Sequence, residues 1–128
     1  MMKAAGLDLA MAYEAIAMSS GTSFVHETES QLILSGSRDV NFTMDLVKKD
    51  IGLFQKIADD HGVPLEVSPI VIDIMSDRQK RFDDRAQSDR IIKRLEKATG
   101  LSILAAGFPE NLVDDQPEEI GYEVILRR

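Results

Sequence analysis

The sequence predicts an all-α protein: an orthogonal bundle of about five helices followed by an irregular tail that could contain β-structure. Apolar residues recur at helical spacing through most of the first 100 residues. Ser, Thr or Asp precedes these periodic segments and Gly often follows them, as is typical of helix ends. The chain has 128 residues, of which 44% are hydrophobic, enough for one domain with a single core.

Each predicted helix has a recognisable start or stop. Asp8 and Ser88 are suitable N-caps for the first and the fifth helix, and either Thr22 or Ser23 suits the second. Gly62 is the expected left-handed stop of the third and longest helix. The predicted helices cover about residues 8–18, 22–36, 44–61, 68–82 and 88–100.

The last 28 residues differ in composition from the helical part. They contain two prolines and six acidic residues. The apolar pieces 101–106 and 122–126 are either short strands or clamps on the bundle, because a lone short strand is marginal by itself. We therefore expect a helical domain at residues 1–100 and an acidic tail at residues 101–128 that docks on it.

Charge and composition exclude several classes of function. The net charge of −7 argues against binding to nucleic acid, which requires a basic surface, and against attachment to an acidic membrane. The chain has no Cys, so thiolate metal sites and disulfides are excluded and a reducing, cytoplasmic location is expected. Since no run of 18 apolar residues occurs, we expect no membrane-spanning segment.

The third helix carries the residues that bear on chemistry. Asp50 projects between its two apolar stripes, and Lys49 lies at the border with the polar face. These stripes predict a central helix packed on two sides: Met44, Val47, Ile51, Phe54 and Ala58 form one, and Leu46, Leu53 and Ile57 the other.

Two interpretations are open for each of these charged residues. Asp50 is either a structural carboxylate bonded to a neighbouring helix or a residue that organises a site, since an unpaired buried charge costs several kcal/mol. Lys49 either contacts an anion or extends into solvent.

The segment around Lys49 resembles the Lys-Asp motif of the β-hydroxyacid dehydrogenases. It reads Lys-Asp-Ile-Gly-Leu at 49–53, and Gly-Val-Pro-Leu follows at 62–65. The resemblance covers about residues 4–100 and includes Gly-Leu-Asp at 6–8, the Ser/Gly-rich segment 19–23, Phe42 as the aromatic residue before the motif, and the stretch 84–92.

This resemblance implies the helical C-terminal domain of a dehydrogenase that uses NAD or NADP to act on a small 3-hydroxy acid. In that family, the Lys of the motif reaches the cofactor. Lys49 and Phe42 are therefore the expected cofactor-binding residues, and Asp50 is expected to support the site. Ser20 and Gly21 are expected to bind substrate, although helix capping by the same loop is the competing explanation. The resemblance implies neither a catalytic residue nor a metal site in this chain.

Two features of the family have no counterpart here. The sequence contains no Gly-x-Gly-x-x-Gly, which marks a dinucleotide-binding Rossmann domain, and nothing matches the family's Gly-x-x-x-Lys-x-x-Asn segment with the catalytic lysine. We therefore expect a fragment without its N-terminal Rossmann domain, inactive alone. Exposure of the surface that normally meets the missing part predicts self-association into a homo-oligomer. The alternative function is a non-enzymatic helical interaction or oligomerisation domain, in which Lys49 has no role.

Overall fold

A computed structural model describes residues 1–79 and 85–113, with side chains for all of them except residues 77–79. The regular structure in these ranges is helical, which confirms the all-α prediction. No helix in this part is both long and apolar enough to cross a membrane. The α-helices are α1 (Leu9–Ala17), α2 (Phe24–Glu27), α3 (Glu29–Ser35), α4 (Met44–Asp60), α5 (Ser68–Gln79) and α6 (Lys93–Thr99), and 3-10 turns occupy Lys3–Ala5 and Ser88–Ile92.

The first and the longest helix begin and end much as the sequence predicts. The Asp8 carboxylate accepts a hydrogen bond of 2.8 Å from the Met11 amide and so caps α1. Helix α4 is continuous and is followed by Gly62 at φ +67°, the left-handed conformation that Gly adopts without strain. The predicted fourth helix corresponds to α5, and its expected end at residue 82 lies outside the described residues.

Two predicted helix boundaries are wrong. The second helix is divided at Thr28, whose hydroxyl donates to the Phe24 carbonyl at 2.7 Å and competes with the backbone ladder, while Ser23 caps α2 as expected. Ser88 does not cap the fifth helix. Its amide instead donates to the Phe42 carbonyl at 2.8 Å, and the chain forms a 3-10 turn before α6 begins.

Two segments lie side by side: the one that precedes α4 and the one that precedes the 3-10 turn Ser88–Ile92. An antiparallel bridge pairs Thr43 with Gln87, and the Met44 amide donates to the Ala86 carbonyl at 2.9 Å. Together with the bond from Ser88 to Phe42, this pairing fixes where α4 starts.

The buried apolar core lies around α3 and the start of α4. Residues 101–108 fold back over it: the Ala105 amide donates to the Leu34 carbonyl at 2.9 Å, and the Phe108 ring meets the Tyr13 ring edge-on at 5.1 Å. Residues 101–106 are thus a clamp and not a strand. The remaining part of the expected tail, residues 114–128, lies outside the described residues. The buried apolar side chains described are Leu32, Leu34, Val40, Met44 and Ala58.

Among the described residues, helix α4 packs through one side, against α5 and the core, and the second packed side that the sequence predicts is not found there. Met44 and Ala58 are buried, whereas Leu53, Phe54 and Ile57 are between 54% and 62% exposed. Leu53 and Ile57 of the second apolar stripe lie on the exposed side of α4, and no part of the described chain covers them. We call the surface formed by Leu53, Phe54, Ile57, Val67 and Ile70 the open face.

Candidate functional site

Lys49 and Asp50 lie near the middle of α4, on its exposed side. Their side chains are 58% and 52% exposed, and the Lys49 Nζ lies 3.1 Å from the Asp50 Oδ1. An ion pair this exposed contributes less than about 1 kcal/mol. The Lys49 ammonium can therefore exchange this carboxylate for another anion at little cost.

Of the two interpretations of Asp50, that of a buried structural carboxylate bonded to a neighbouring helix is wrong. Because α4 packs through the side that carries Met44 and Ala58, the sector between the two apolar stripes faces outward and takes Asp50 with it. The ion-pair partner of Asp50 is its neighbour Lys49 rather than a residue of another helix. Burial of this acid therefore gives no support to a functional role for the motif.

Asp50 lines an open, mostly apolar cleft between α4 and the start of α5, with a volume of about 530 Å³. We call it the α4–α5 cleft. Since the Lys49 ammonium contacts Asp50, it lies at the margin of this cleft. The apolar walls suit an apolar group of a ligand, and an anionic group of the same ligand would bind Lys49 by displacing the Asp50 carboxylate. The cleft is lined by Asp50, Ile51, Phe54, Val67, Ser68 and Val71.

Phe42 precedes α4 and is partly exposed. Its backbone is fixed by the hydrogen bond from Ser88, so its position relative to the start of α4 is well defined. Lys49 lies five residues into the helix beyond Met44, which places it about 8 Å further along the helix axis. The two residues predicted to contact the cofactor are thus on one continuous segment.

Ser20 and Gly21 lie in the exposed loop between α1 and α2. The Gly21 amide donates to the Ser19 Oγ at 3.1 Å, and the Ser19 hydroxyl donates to the Ile16 carbonyl at 2.8 Å. These local bonds engage the Gly21 amide and the Ser19 hydroxyl, and Ser23 caps α2. Within the described ranges, no hydrogen bond or ion pair connects this loop to Lys49, and its role in substrate binding stays a prediction.

The structure also shows a charged network that sequence reasoning missed. The Asp89 side chain is fully buried, and its Oδ2 lies 3.4 Å from the Arg38 Nη1, while the Arg38 Nη2 lies 3.6 Å from the Glu96 Oε2. Burial, and then the charge of Asp89, raise the pKa of Glu29 above its ordinary value of 4.5. Arg38 and Asp89 are 51 residues apart, so no local pattern indicates their contact.

Among the described residues, no group of three or more His, Asp or Glu side chains is arranged to hold a metal ion. The cation at the margin of the α4–α5 cleft is Lys49, whose ammonium can bind an anion.

Comparison with known proteins gives a consistent set of matches. The sequence model of the family described as "NAD-binding of NADP-dependent 3-hydroxyisobutyrate dehydrogenase" matches residues 1–95. The 2-(hydroxymethyl)glutarate dehydrogenase of Eubacterium barkeri is 32% identical over 91 residues, which cover 70% of this chain and 30% of that protein. An uncharacterized oxidoreductase of Shewanella frigidimarina (strain NCIMB 400) is 29% identical over 96 residues, or 75% of this chain and 33% of that protein. The chain therefore spans about a third of the length of these curated relatives.

Proposed function

The chain belongs to this family of NAD-binding domains of NADP-dependent 3-hydroxyisobutyrate dehydrogenase, and from that premise we propose that it serves an NAD(P)-dependent enzyme acting on a small β-hydroxy acid. Its contributions are a cofactor contact, a wall of the substrate cleft and a surface for dimerisation. The observation that carries this proposal is the family match over residues 1–95, which includes Lys49 at the margin of the α4–α5 cleft.

Lys49 is the cofactor contact in this proposal. Its ammonium is exposed, and its partner Asp50 is an exposed carboxylate that a phosphate oxygen of a dinucleotide can replace. The sequence has no glycine-rich dinucleotide fingerprint, so the rest of the enzyme holds the cofactor and Lys49 touches it from the helical domain. When bound, NAD or NADP supplies the hydride chemistry at the carbon that bears the substrate hydroxyl.

Phe42, Ser20 and Gly21 complete the proposed site. Phe42 lies on the same continuous segment as Lys49 and is partly exposed, which suits a contact with the cofactor. The loop with Ser20 and Gly21 is exposed and contributes the proposed contact with the hydroxy acid.

The open face supports a second candidate function, that of a helical interaction or oligomerisation domain without catalysis. Exposed apolar residues grouped on one side of a protein mark contact with another protein surface. In the enzyme, this face meets the remainder of the chain or a second subunit. Both functions use the open face, and the role of Lys49 distinguishes them.

A chimera tests the role of Lys49. The 128-residue chain replaces the matched third of the 2-(hydroxymethyl)glutarate dehydrogenase of Eubacterium barkeri, and binding of NADH and NADPH is measured by fluorescence, followed by turnover of 2-(hydroxymethyl)glutarate. Lys49→Met is expected to weaken dinucleotide binding about tenfold, the loss typical of one charge-assisted contact.

Lys56→Met is the matched control, because Lys56 lies two turns further along α4, is similarly exposed and also pairs with an acid, Asp60. It is expected to leave binding unchanged. Equal affinity of the Lys49→Met chimera and its parent would contradict the cofactor contact and favour the interaction domain.

A further inference from the structure

A second cleft, built from other elements, is lined by positively charged side chains. It lies between the end of α3, the region that begins α6, and residues 101–104, and its volume is about 360 Å³. Arg38, Arg90 and Lys93 line it together with Glu96. It shares no lining residue with the α4–α5 cleft. We call it the Arg38 cleft.

The charges around the Arg38 cleft do not balance. The Glu96 carboxylate is already engaged, because its Oε1 accepts from the Ile103 amide at 3.0 Å and its Oε2 lies 3.6 Å from the Arg38 guanidinium. The buried Asp89 carboxylate is a second acid on the same guanidinium, so three cations and two acids give this region a net charge of +1.

Arg90 and Lys93 carry the positive charge that remains. Both are exposed, and neither makes a side-chain hydrogen bond or an ion pair within the described part of the chain. In a protein of net charge −7, two unpaired cations at one cleft point to an anionic ligand.

Arg38 is held in place before any ligand arrives. Its backbone has φ +57°, a left-handed conformation that is uncommon for a residue other than Gly, and its amide donates to the Leu32 carbonyl at 3.2 Å. Its guanidinium donates to the carboxylate and to the carbonyl of Asp89, both at 3.4 Å, and its side chain is only 12% exposed. A donor that is already ordered loses little entropy when it binds a ligand.

We propose that the Arg38 cleft binds the phosphate group of a small molecule. Arg90 and Lys93 supply the charge, and Arg38 supplies a fixed guanidinium at the wall of the cleft. The hydroxyls of Ser37 and Ser102, which also line the cleft, add neutral donors of the kind that phosphate oxygens accept. This site is independent of the proposed dehydrogenase function.

The test is a titration of the isotope-labelled 128-residue chain followed by NMR. The probes are inorganic phosphate and glycerol phosphate, each compared with chloride at the same ionic strength. Saturable shifts are expected for the amides of Ser37, Arg90 and Ser102 with both phosphates and not with chloride. Tighter binding of glycerol phosphate identifies an ester as the ligand, and tighter binding of inorganic phosphate identifies the free ion; both support an oxyanion site.

Variants locate the site and separate it from a general charge effect. Arg90→Gln with Lys93→Gln is expected to weaken phosphate binding at least about tenfold. The matched control, Arg94→Gln with Lys97→Gln, removes the same charge from exposed residues that do not line the cleft and is expected to retain the affinity.

Three results would overturn the proposal: identical shifts with chloride, an equal loss in both double variants, or shifts that do not saturate. If the first double variant is unfolded, Arg90→Gln alone replaces it, and unchanged phosphate affinity in that folded variant also overturns the proposal. Arg90→Lys keeps the positive charge and is expected to retain most of the affinity.

Discussion

The two sides of the molecule, one around α3 and the other around α4 and α5, cover their apolar residues differently. On the α3 side, Leu32 and Leu34 are buried, and residues 101–108 fold back over the end of the helix, where the Ala105 amide bonds the Leu34 carbonyl. On the other side, Leu53 and Phe54 are more than half exposed, although α4 is the longer helix. An amphipathic helix thus has an apolar side that is stabilised by burial. Whether another part of the same domain buries it depends on the rest of the chain.

The charged residues follow the same division. Arg38 and Asp89 form a pair that is largely removed from water, whereas Lys49 and Asp50 form an exposed pair on α4. Removing one partner lowers the free energy of unfolding much more for the buried pair than for the exposed pair. At the surface water solvates the remaining charge, whereas in the interior it does not. The α3 side is therefore expected to carry most of the stability, and the open face the contacts with other protein surfaces.

A matched pair of Leu substitutions gives the largest expected difference. Leu32→Ala removes a buried side chain and is expected to lower the free energy of unfolding by about 3 kcal/mol. Leu53→Ala, on the open face, is expected to lower it by less than about 1 kcal/mol. Urea unfolding of both variants checks this difference, and equal losses would show that the two sides do not differ as described.

A second pair of substitutions compares the ion pairs. Arg38→Ala leaves the buried Asp89 without its cation and is expected to lower the free energy of unfolding by about 2 kcal/mol. This loss is smaller than that expected for a fully buried ion pair, because the contact is 3.4 Å long and Arg38 is partly exposed. Lys56→Ala removes an exposed pair with Asp60 and is expected to cost about 0.3 kcal/mol. A loss of under about 0.5 kcal/mol for Arg38→Ala would contradict a stabilising network.

Most of the fold could be predicted from the sequence, because helix caps and stops are local signals. Asp8 and Gly62 act as predicted at the ends of α1 and α4. The break at Thr28 was not predicted and the cap assigned to Ser88 is wrong, since the effect of each residue depends on which backbone group its side chain or amide reaches. A hydroxyl residue can begin, break or border a helix, and residue type alone does not decide among these.

The site was less predictable, and for a different physical reason. A helical wheel orders residues around α4 but does not say which sector is covered, so it could not show that Asp50, between the two stripes, is exposed. The network of Arg38 and Asp89 depends on a contact between distant segments, which no local pattern reports. The family relationship is established by the match over residues 1–95, and the roles of Lys49 and Phe42 remain proposals.

Self-association through the open face is the third prediction. Covering Leu53, Phe54 and Ile57 removes exposed apolar surface from water, so the chain is expected to associate as its concentration rises. Ile57→Lys places a charge in that surface and is expected to weaken association at least about tenfold, measured by sedimentation equilibrium.

The control for this prediction is Ala98→Lys, which adds the same charge at an exposed position of α6, away from the open face. It is expected to leave association unchanged. A chain that remains monomeric at millimolar concentration, or an equal effect of both substitutions, would remove the open face as the contact surface.

The smallest expected effect concerns pH and returns to the α3 side. Burial, and then the charge of Asp89, raise the pKa of Glu29 in the folded chain above its ordinary value of 4.5. The folded state therefore binds the Glu29 proton more tightly than the unfolded state does. The contribution of this difference to the free energy of unfolding is fully present below pH 4.5 and is lost as pH rises through the folded pKa. Glu29→Gln removes the charge and is expected to stabilise the chain at pH 7 by a few tenths of a kcal/mol, about the size of one weakly exposed charge interaction.

This gain is expected to shrink towards pH 4, where the wild-type carboxyl is itself largely neutral. Thermal unfolding of both proteins at the two pH values measures it, and Glu66→Gln, at an exposed position, is the control expected to show no such dependence. A gain from Glu29→Gln that is the same at both pH values would mean that neither burial nor the charge of Asp89 raises the pKa of Glu29. The charged network would then consist of Arg38, Asp89 and Glu96, without Glu29.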